Sequence, residues 1–193
     1  MRIIAGTKRG MKLFSPPGLE SRPIIDRVKQ SLFDVLQKYD LPAGKTVADV
    51  FAGVGSLGLE ALSRGAAYVS FIETGPKIVP VLQQNIEKAG FVEKSKIIRV
   101  DAFRMRSPID AEYPFYDLVF VDPPYVDSAQ TQIGSPLAML LTRLADCVSP
   151  AGCVIVRTQD RTTLSQSYGS LKIIKRRQWG TMAVTILKKA QDK

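Results

Sequence analysis

From Lys45 onward short apolar runs alternate with segments of helical period, and this alternation restricts the fold more than any other feature. Strands are predicted at 46–51, 68–73, 96–100, 116–122 and 152–158. Helices are predicted at 57–64, 76–89 and 137–148, the first two closed by Gly65 and Gly90. Segments 171–176 and 183–187 read as a closing pair of strands. Strands joined through helices pair in parallel with right-handed crossovers. The expected architecture is therefore α/β, a doubly wound and mostly parallel sheet. Ligands of such sheets bind beyond the carboxyl ends of the strands, so the residues after each strand are the informative ones.

The first 42 residues read as a basic extension, a hairpin plus a helix, ahead of a domain at 43–193. Two short strands, 2–5 and 11–14, flank the glycine-bounded turn Gly6-Thr7-Lys8-Arg9-Gly10. A helix is predicted at 25–39, where Val28, Leu32, Val35, Leu36 and Tyr39 recur at three- and four-residue spacing. Charge is uneven along the chain: +4 over 1–40, −2 over 41–156 and +7 over 157–193, for a net +9. Basic ends around a mildly acidic body are the footprint of a polyanion-binding protein. Lys8, Arg9, Arg22, Arg27 and Lys29 are the candidate phosphate contacts, expected near the strand-exit cleft.

Composition removes several chemistries. The chain has no histidine, so it holds no Ser-His-Asp triad, no Cys-His pair and no histidine zinc ligand. Its two cysteines, Cys147 and Cys153, cannot build a disulfide scaffold or a four-ligand metal site. A reduced, cytoplasmic setting without metal is expected. No signal peptide or run of membrane-spanning length is seen.

The first strand runs into Asp49-Val50-Phe51-Ala52-Gly53-Val54-Gly55-Ser56-Leu57-Gly58. Glycines at this turn allow positive φ and close approach of a ligand, and the following helix offers amides to an anion. Glu73 ends the next strand, placed to accept from two ribose hydroxyls. NAD and S-adenosylmethionine both suit this geometry. Asp49 favours the second, since an ionised acid repels a pyrophosphate and attracts an amine and a sulfonium. Asp49, Phe51, Ala52, Gly53, Gly55, Gly58 and Glu73 are thus candidate cofactor residues. Asp101 and Ala102, after the third strand, join them as adenine contacts, although Asp101 equally suits a helix N-cap.

The fourth strand ends in Asp122-Pro123-Pro124-Tyr125. Prolines fix φ and remove backbone donors, leaving a rigid set of acceptors beside the Asp122 carboxylate. An exocyclic amine brings two N–H donors to such a site, and Tyr125 offers a face for stacking a base. These four residues are the candidate catalytic group.

Asp122-Pro123-Pro124-Tyr125 resembles the motif of S-adenosylmethionine-dependent amino methyltransferases. The resemblance extends over nearly the whole chain to the bacterial 16S rRNA guanine-N2 methyltransferases of the RsmD type. It is carried by Arg2-Ile3-Ile4-Ala5-Gly6 with Gly10-Met11-Lys12-Leu13; by Arg22-Pro23, Asp26-Arg27-Val28-Lys29 and Ser31-Leu32-Phe33; by Asp49 to Gly53 and Gly55 to Ala66; and by the Asp-Pro-Pro-Tyr run. It implies a Rossmann-like class I methyltransferase that uses S-adenosylmethionine. It also implies that the acceptor is N2 of one guanine in 16S rRNA, within a small ribosomal subunit or an assembly intermediate. The chain departs from that family at Ile24, Ile25 and Val54, and at Arg157, where the family tends to carry an acid. Alternatives on the same core are methylation of DNA adenine or cytosine or of protein glutamine. A nucleotide-dependent oxidoreductase and a non-catalytic RNA-binding protein are the readings outside this class.

Overall fold

A computed structural model describes residues 1–16, 24–105, 110–124 and 130–190. The elements in chain order are α1 (Asp26–Gln37), β1 (Thr46–Val50), α2 (Gly58–Ser63), β2 (Tyr68–Ile72), α3 (Val79–Ala89), a 3₁₀ turn (Val92–Lys94), β3 (Ser95–Ile98) and β4 (Tyr116–Val121). They continue with α4 (Pro136–Cys147), β5 (Val148–Gln159), β6 (Ser167–Tyr168), β7 (Leu171–Trp179) and β8 (Met182–Lys189).

One eight-stranded sheet has the order β3-β2-β1-β4-β5-β8-β7-β6. The first five strands are parallel, and β8, β7 and β6 add on antiparallel. The expected parallel core and closing pair are both present. The order reverses between β1 and β4, so the switch point lies where the glycine loop and the Asp-Pro-Pro run leave the sheet.

Strand residues alternate between two faces, and each face has its own core. Val47, Phe71, Leu118, Phe120 and Ile155 meet α1, α2 and α3 on one side. Ala48, Val50, Val119, Val121 and Val154 meet α4 and the segment after β3 on the other. The extension joins the first core through Ile3, Leu13, Val28, Leu32 and Phe33, rather than building one of its own.

Several boundaries differ from the sequence reading, and one strand is additional. α3 begins at Val79, because Pro80 lacks an N–H and is accommodated only in the first turn. It ends at Gly90, whose φ of 69° suits the left-handed cap. β5 starts at Val148, before the apolar run, since Tyr116 pairs with Val148 ahead of a register shift. β6 is two residues long, too short to show a period-two pattern.

Candidate active site

Three strand exits converge. Beyond β1, the Ala52 amide donates to Ile72 O at 3.0 Å, which ties the loop to β2. Beyond β4, the Asp122 amide donates to Val50 O at 3.3 Å. Asp49, Glu73 and Asp122 thereby stand together, close enough that each of the other two raises the pKa of Asp49.

The loop's glycines serve different ends. A Cβ on Gly58 would lie 2.3 Å from the Phe71 ring and 3.0 Å from Asp49 Oδ2. A Cβ on Gly55 would lie 2.7 Å from Leu82. These two let α2 and α3 pack on the sheet. Gly53, at φ 56°, has nothing within 4 Å of such a Cβ, so it is the glycine that leaves room for a ligand. Phe51 adopts φ 64°, a conformation uncommon without glycine. Its ring packs on Phe103 with centroids 5.0 Å apart.

Asp49 is buried, and its Oδ2 accepts from the Gly58 amide at 2.8 Å. The expected free amide at the start of α2 is therefore filled by the protein's own carboxyl. That amide is thus not available to an anion. Burial first, then Asp122 and Glu73, push the Asp49 pKa up to about 8, against the pull of the Gly58 bond and Arg157.

Glu73 clamps the loop. Its Oε2 accepts from Gly53 N at 2.9 Å, and Oε1 accepts from Thr74 N at 2.9 Å and Gly75 N at 2.7 Å. Oε1 has both lone pairs engaged, leaving one on Oε2 for a ribose hydroxyl. Asp101 closes a turn: Oδ1 accepts from Phe103 N at 2.9 Å, and Oδ2 lies 3.4 Å from Arg104. Ala102 is buried beneath it.

Asp122 Oδ1 accepts from Arg157 Nε at 2.5 Å, an ion pair whose side chains are 18% and 15% exposed. Burial raises the Asp122 pKa and Arg157 holds it back. Pro123 is buried and Pro124 exposed. Tyr125 and Arg22 lie outside the described residues.

The basic residues divide. Arg27, in the first turn of α1, is exposed at the end near the glycine loop, where the neighbouring Lys29 meets Ser56. Lys29 itself is a correction: it is 1% exposed, 3.5 Å from Glu60 and donates to Arg2 O at 2.7 Å, so it faces no phosphate. Lys8 and Arg9 are a second correction. Their turn docks on Ser63, at the far end of α2, with Lys8 beside Phe91 and Gly90, past the end of α3. Both helices run away from the strand exits, so this turn lies at the opposite end of the sheet from the cleft. Arg177, exposed on β7, shares a cross-strand row with Val184 and Arg157. The sequence reading ends that strand one residue earlier, at 176.

Among the described residues no helix is long and apolar enough to cross a membrane, and no group of three or more His, Cys, Asp or Glu residues could hold a metal ion.

Fold and site together define a class I methyltransferase of the Rossmann-like type, a class that uses S-adenosylmethionine in general. The residues fit that group: Asp49 suits its cationic end, Glu73 keeps a lone pair for a ribose hydroxyl, and Gly53 opens space beside them. The chain belongs to the family described as conserved hypothetical protein 95, whose model matches residues 1–188. YlbH of Bacillus subtilis (strain 168), provisionally named an rRNA methyltransferase, is 29% identical over 98% of this chain and 99% of its own. Ribosomal RNA small subunit methyltransferase D of Haemophilus influenzae (strain KW20 / Rd) is 39% identical over 65% of this chain and 64% of its own. A solved structure provisionally named methyltransferase yhhF, from Escherichia coli, superposes with TM-score 0.79 at 27% identity, covering 98% of this chain and 97% of that one.

Proposed function

We propose that this protein methylates the exocyclic N2 amine of one guanine in 16S rRNA, within a small ribosomal subunit or an assembly intermediate in the cytoplasm. The observation that carries the reading is the Asp122-Pro123-Pro124 exit beside an acid-lined glycine loop at the switch point. Relatives named as small-subunit rRNA methyltransferases support the choice of RNA.

S-adenosylmethionine supplies an electrophilic methyl on a sulfonium. Guanine N2 is a weak nucleophile because its lone pair is delocalised into the ring. Asp122, accepting from its N–H bonds, favours the pyramidal nitrogen that presents that lone pair, an interaction strongest in the transition state. Glu73 and Gly53 would hold the adenosyl end of the cofactor and Asp49 its cationic end; the cofactor would give up its methyl and depart as the neutral thioether, and the proton lost by N2 would pass to Asp122 or water. N2 takes part in G·C pairing, so the base must be unpaired or extruded.

Mass spectrometry of small-subunit rRNA nucleosides, with and without the enzyme, tests this directly. An N2-methylguanine that appears only with active enzyme supports it. Methylated DNA adenine or cytosine, or methylated protein glutamine, in its place would move the acceptor.

Cofactor binding should depend on pH. Below about 8 the free Asp49 carboxyl holds a proton. A cation beside it favours the carboxylate, so binding expels that proton. Affinity is expected to strengthen as pH rises and to level off above about 8, with a limiting slope of about tenfold per pH unit. Calorimetry in two buffers of different ionisation enthalpy would read the released proton; none released would remove Asp49 from the cationic end.

Lys8 and Arg9 are proposed to touch RNA well away from the reacting base. Their double replacement by alanine is expected to flatten the slope of log affinity against log salt by roughly 0.7–0.9 per lost phosphate contact. The single-turnover rate at saturating RNA should stay at the wild-type value. An unchanged slope would make the turn structural.

A further inference from the structure

We infer that Arg157 is the positioning residue of the transfer site, fixing Oδ1 of Asp122 so that the carboxylate stands as an anionic acceptor with Oδ2 turned to the incoming amine. This rests on the reading of the β4 exit as the acceptor site.

The geometry is built on rigid elements. β4 and β5 are parallel neighbours with Val121 aligned to Val156, so the next residues, Asp122 just past the end of β4 and Arg157 still within β5, stand side by side. Arg157 is held from its other side by β8, where it pairs with Val184 and its Nη1 lies 3.8 Å from Met182 Sδ. A planar guanidinium, unlike an ammonium, fixes the orientation of a carboxylate as well as its charge.

The charge matters because of the company Asp122 keeps. Asp122 is desolvated by burial and lies close enough to Asp49 of β1 to raise that group's pKa, and Arg157 from β5 is a cation set against both. A desolvated carboxyl takes up a proton unless a cation opposes it. Protonated, Asp122 would carry an O–H donor at a place where the amine also brings donors. Arg157 therefore decides whether this exit accepts at neutral pH. It adds nothing to the hold on a cationic cofactor, since like charges repel.

The test compares wild type, Arg157→Gln, Arg157→Lys, Asp122→Ala and the Asp122→Ala/Arg157→Gln double variant. Single-turnover methylation of small-subunit rRNA is followed across the neutral pH range, with cofactor binding measured by calorimetry. Arg157→Gln is expected to bind cofactor at least as well as wild type and to lose about tenfold or more in rate at neutral pH. Its acid limb should move to higher pH, so the deficit shrinks on the alkaline side. Arg157→Lys should restore the wild-type acid limb. In the Asp122→Ala background, Arg157→Gln should cost nothing further. A wild-type rate and acid limb in Arg157→Gln would overturn the inference. So would a deficit equal at every pH that persists in the Asp122→Ala background. Carbon-13 NMR of the Asp122 carboxyl gives a readout without turnover: its titration should shift upward in Arg157→Gln, and an unchanged titration overturns the inference whatever the acceptor. A wild type that transfers no methyl to rRNA would sink the function proposed above, and the NMR shift would still decide the role of Arg157.

Discussion

Asp122→Ala is expected to lower the single-turnover methyl-transfer rate by about 10²–10³-fold, the scale for removing one positioned acceptor from a transition state. The effect should fall on the chemical step. Among the described side chains, Asp122 is the carboxylate that the Pro123-Pro124 turn holds at the exit of β4, where the acceptor base has to come. In the proposed reading the cofactor meets the exits of β1 and β2 instead, where Glu73 holds the Gly53 amide and Asp49 the Gly58 amide. Cofactor affinity should therefore change little, and what change occurs comes from losing the Asp122 carboxylate beside Arg157. Asp122→Asn is the finer probe, because the amide keeps one acceptor oxygen but adds a donor facing the amine. It should retain more of the fold's stability than Asp122→Ala and still transfer slowly. A normal single-turnover rate in Asp122→Ala would make this exit a structural turn.

Much of this site could be read from the sequence because its parts are local. The glycine loop is ten consecutive residues, and the Asp-Pro-Pro run is three. What could not be read is which end of the sheet a distant segment docks on. Lys8 and Arg9 form an evident basic turn, yet that turn is pinned by hydrogen bonds to Ser63, across 55 and more positions of chain, at the end of α2 away from the exits. Lys29 differs from the phosphate contact expected of it for another reason. It lies four residues before Phe33, on the same helical stripe as buried Phe33 and Leu36, and a cation on an apolar stripe signals a buried partner. That partner is Glu60, inside a helix whose apolar run hides one acid. Arg157 stood in plain view as a basic residue near the end of the fifth strand. Its pairing with Asp122 follows from the register of two parallel neighbours, since Val121 of β4 aligns with Val156 of β5. β6 had too few residues to show any period.

Glu60→Ala is expected to destabilise the fold by about 3–5 kcal/mol, the cost of leaving a buried cation uncompensated, and to lower Tm by roughly 6–20 °C. Glu60 is fully buried, and its two oxygens join four groups from three parts of the chain. Oε2 accepts from the Ile4 amide at 2.7 Å and lies 3.5 Å from Lys29 Nζ. Oε1 accepts from the Ala5 amide at 3.0 Å and from Arg64 Nε at 2.8 Å. Alanine would strand Lys29, whose pKa burial already pulls down, and would leave two backbone amides without acceptors. Those hydrogen bonds and ion pairs are what seat the basic extension on α2. Removing them should free the N-terminal hairpin before the sheet melts, and amide exchange at Ile4 and Ala5 would show it. Arg2 and Asp26 offer the contrast: their ion pair is as short, at 2.7 Å, but 59% and 43% exposed. Asp26→Ala should therefore cost less than about 1 kcal/mol. If Glu60→Ala and Asp26→Ala melted alike, the buried carboxylate would not be what fastens the extension to the domain.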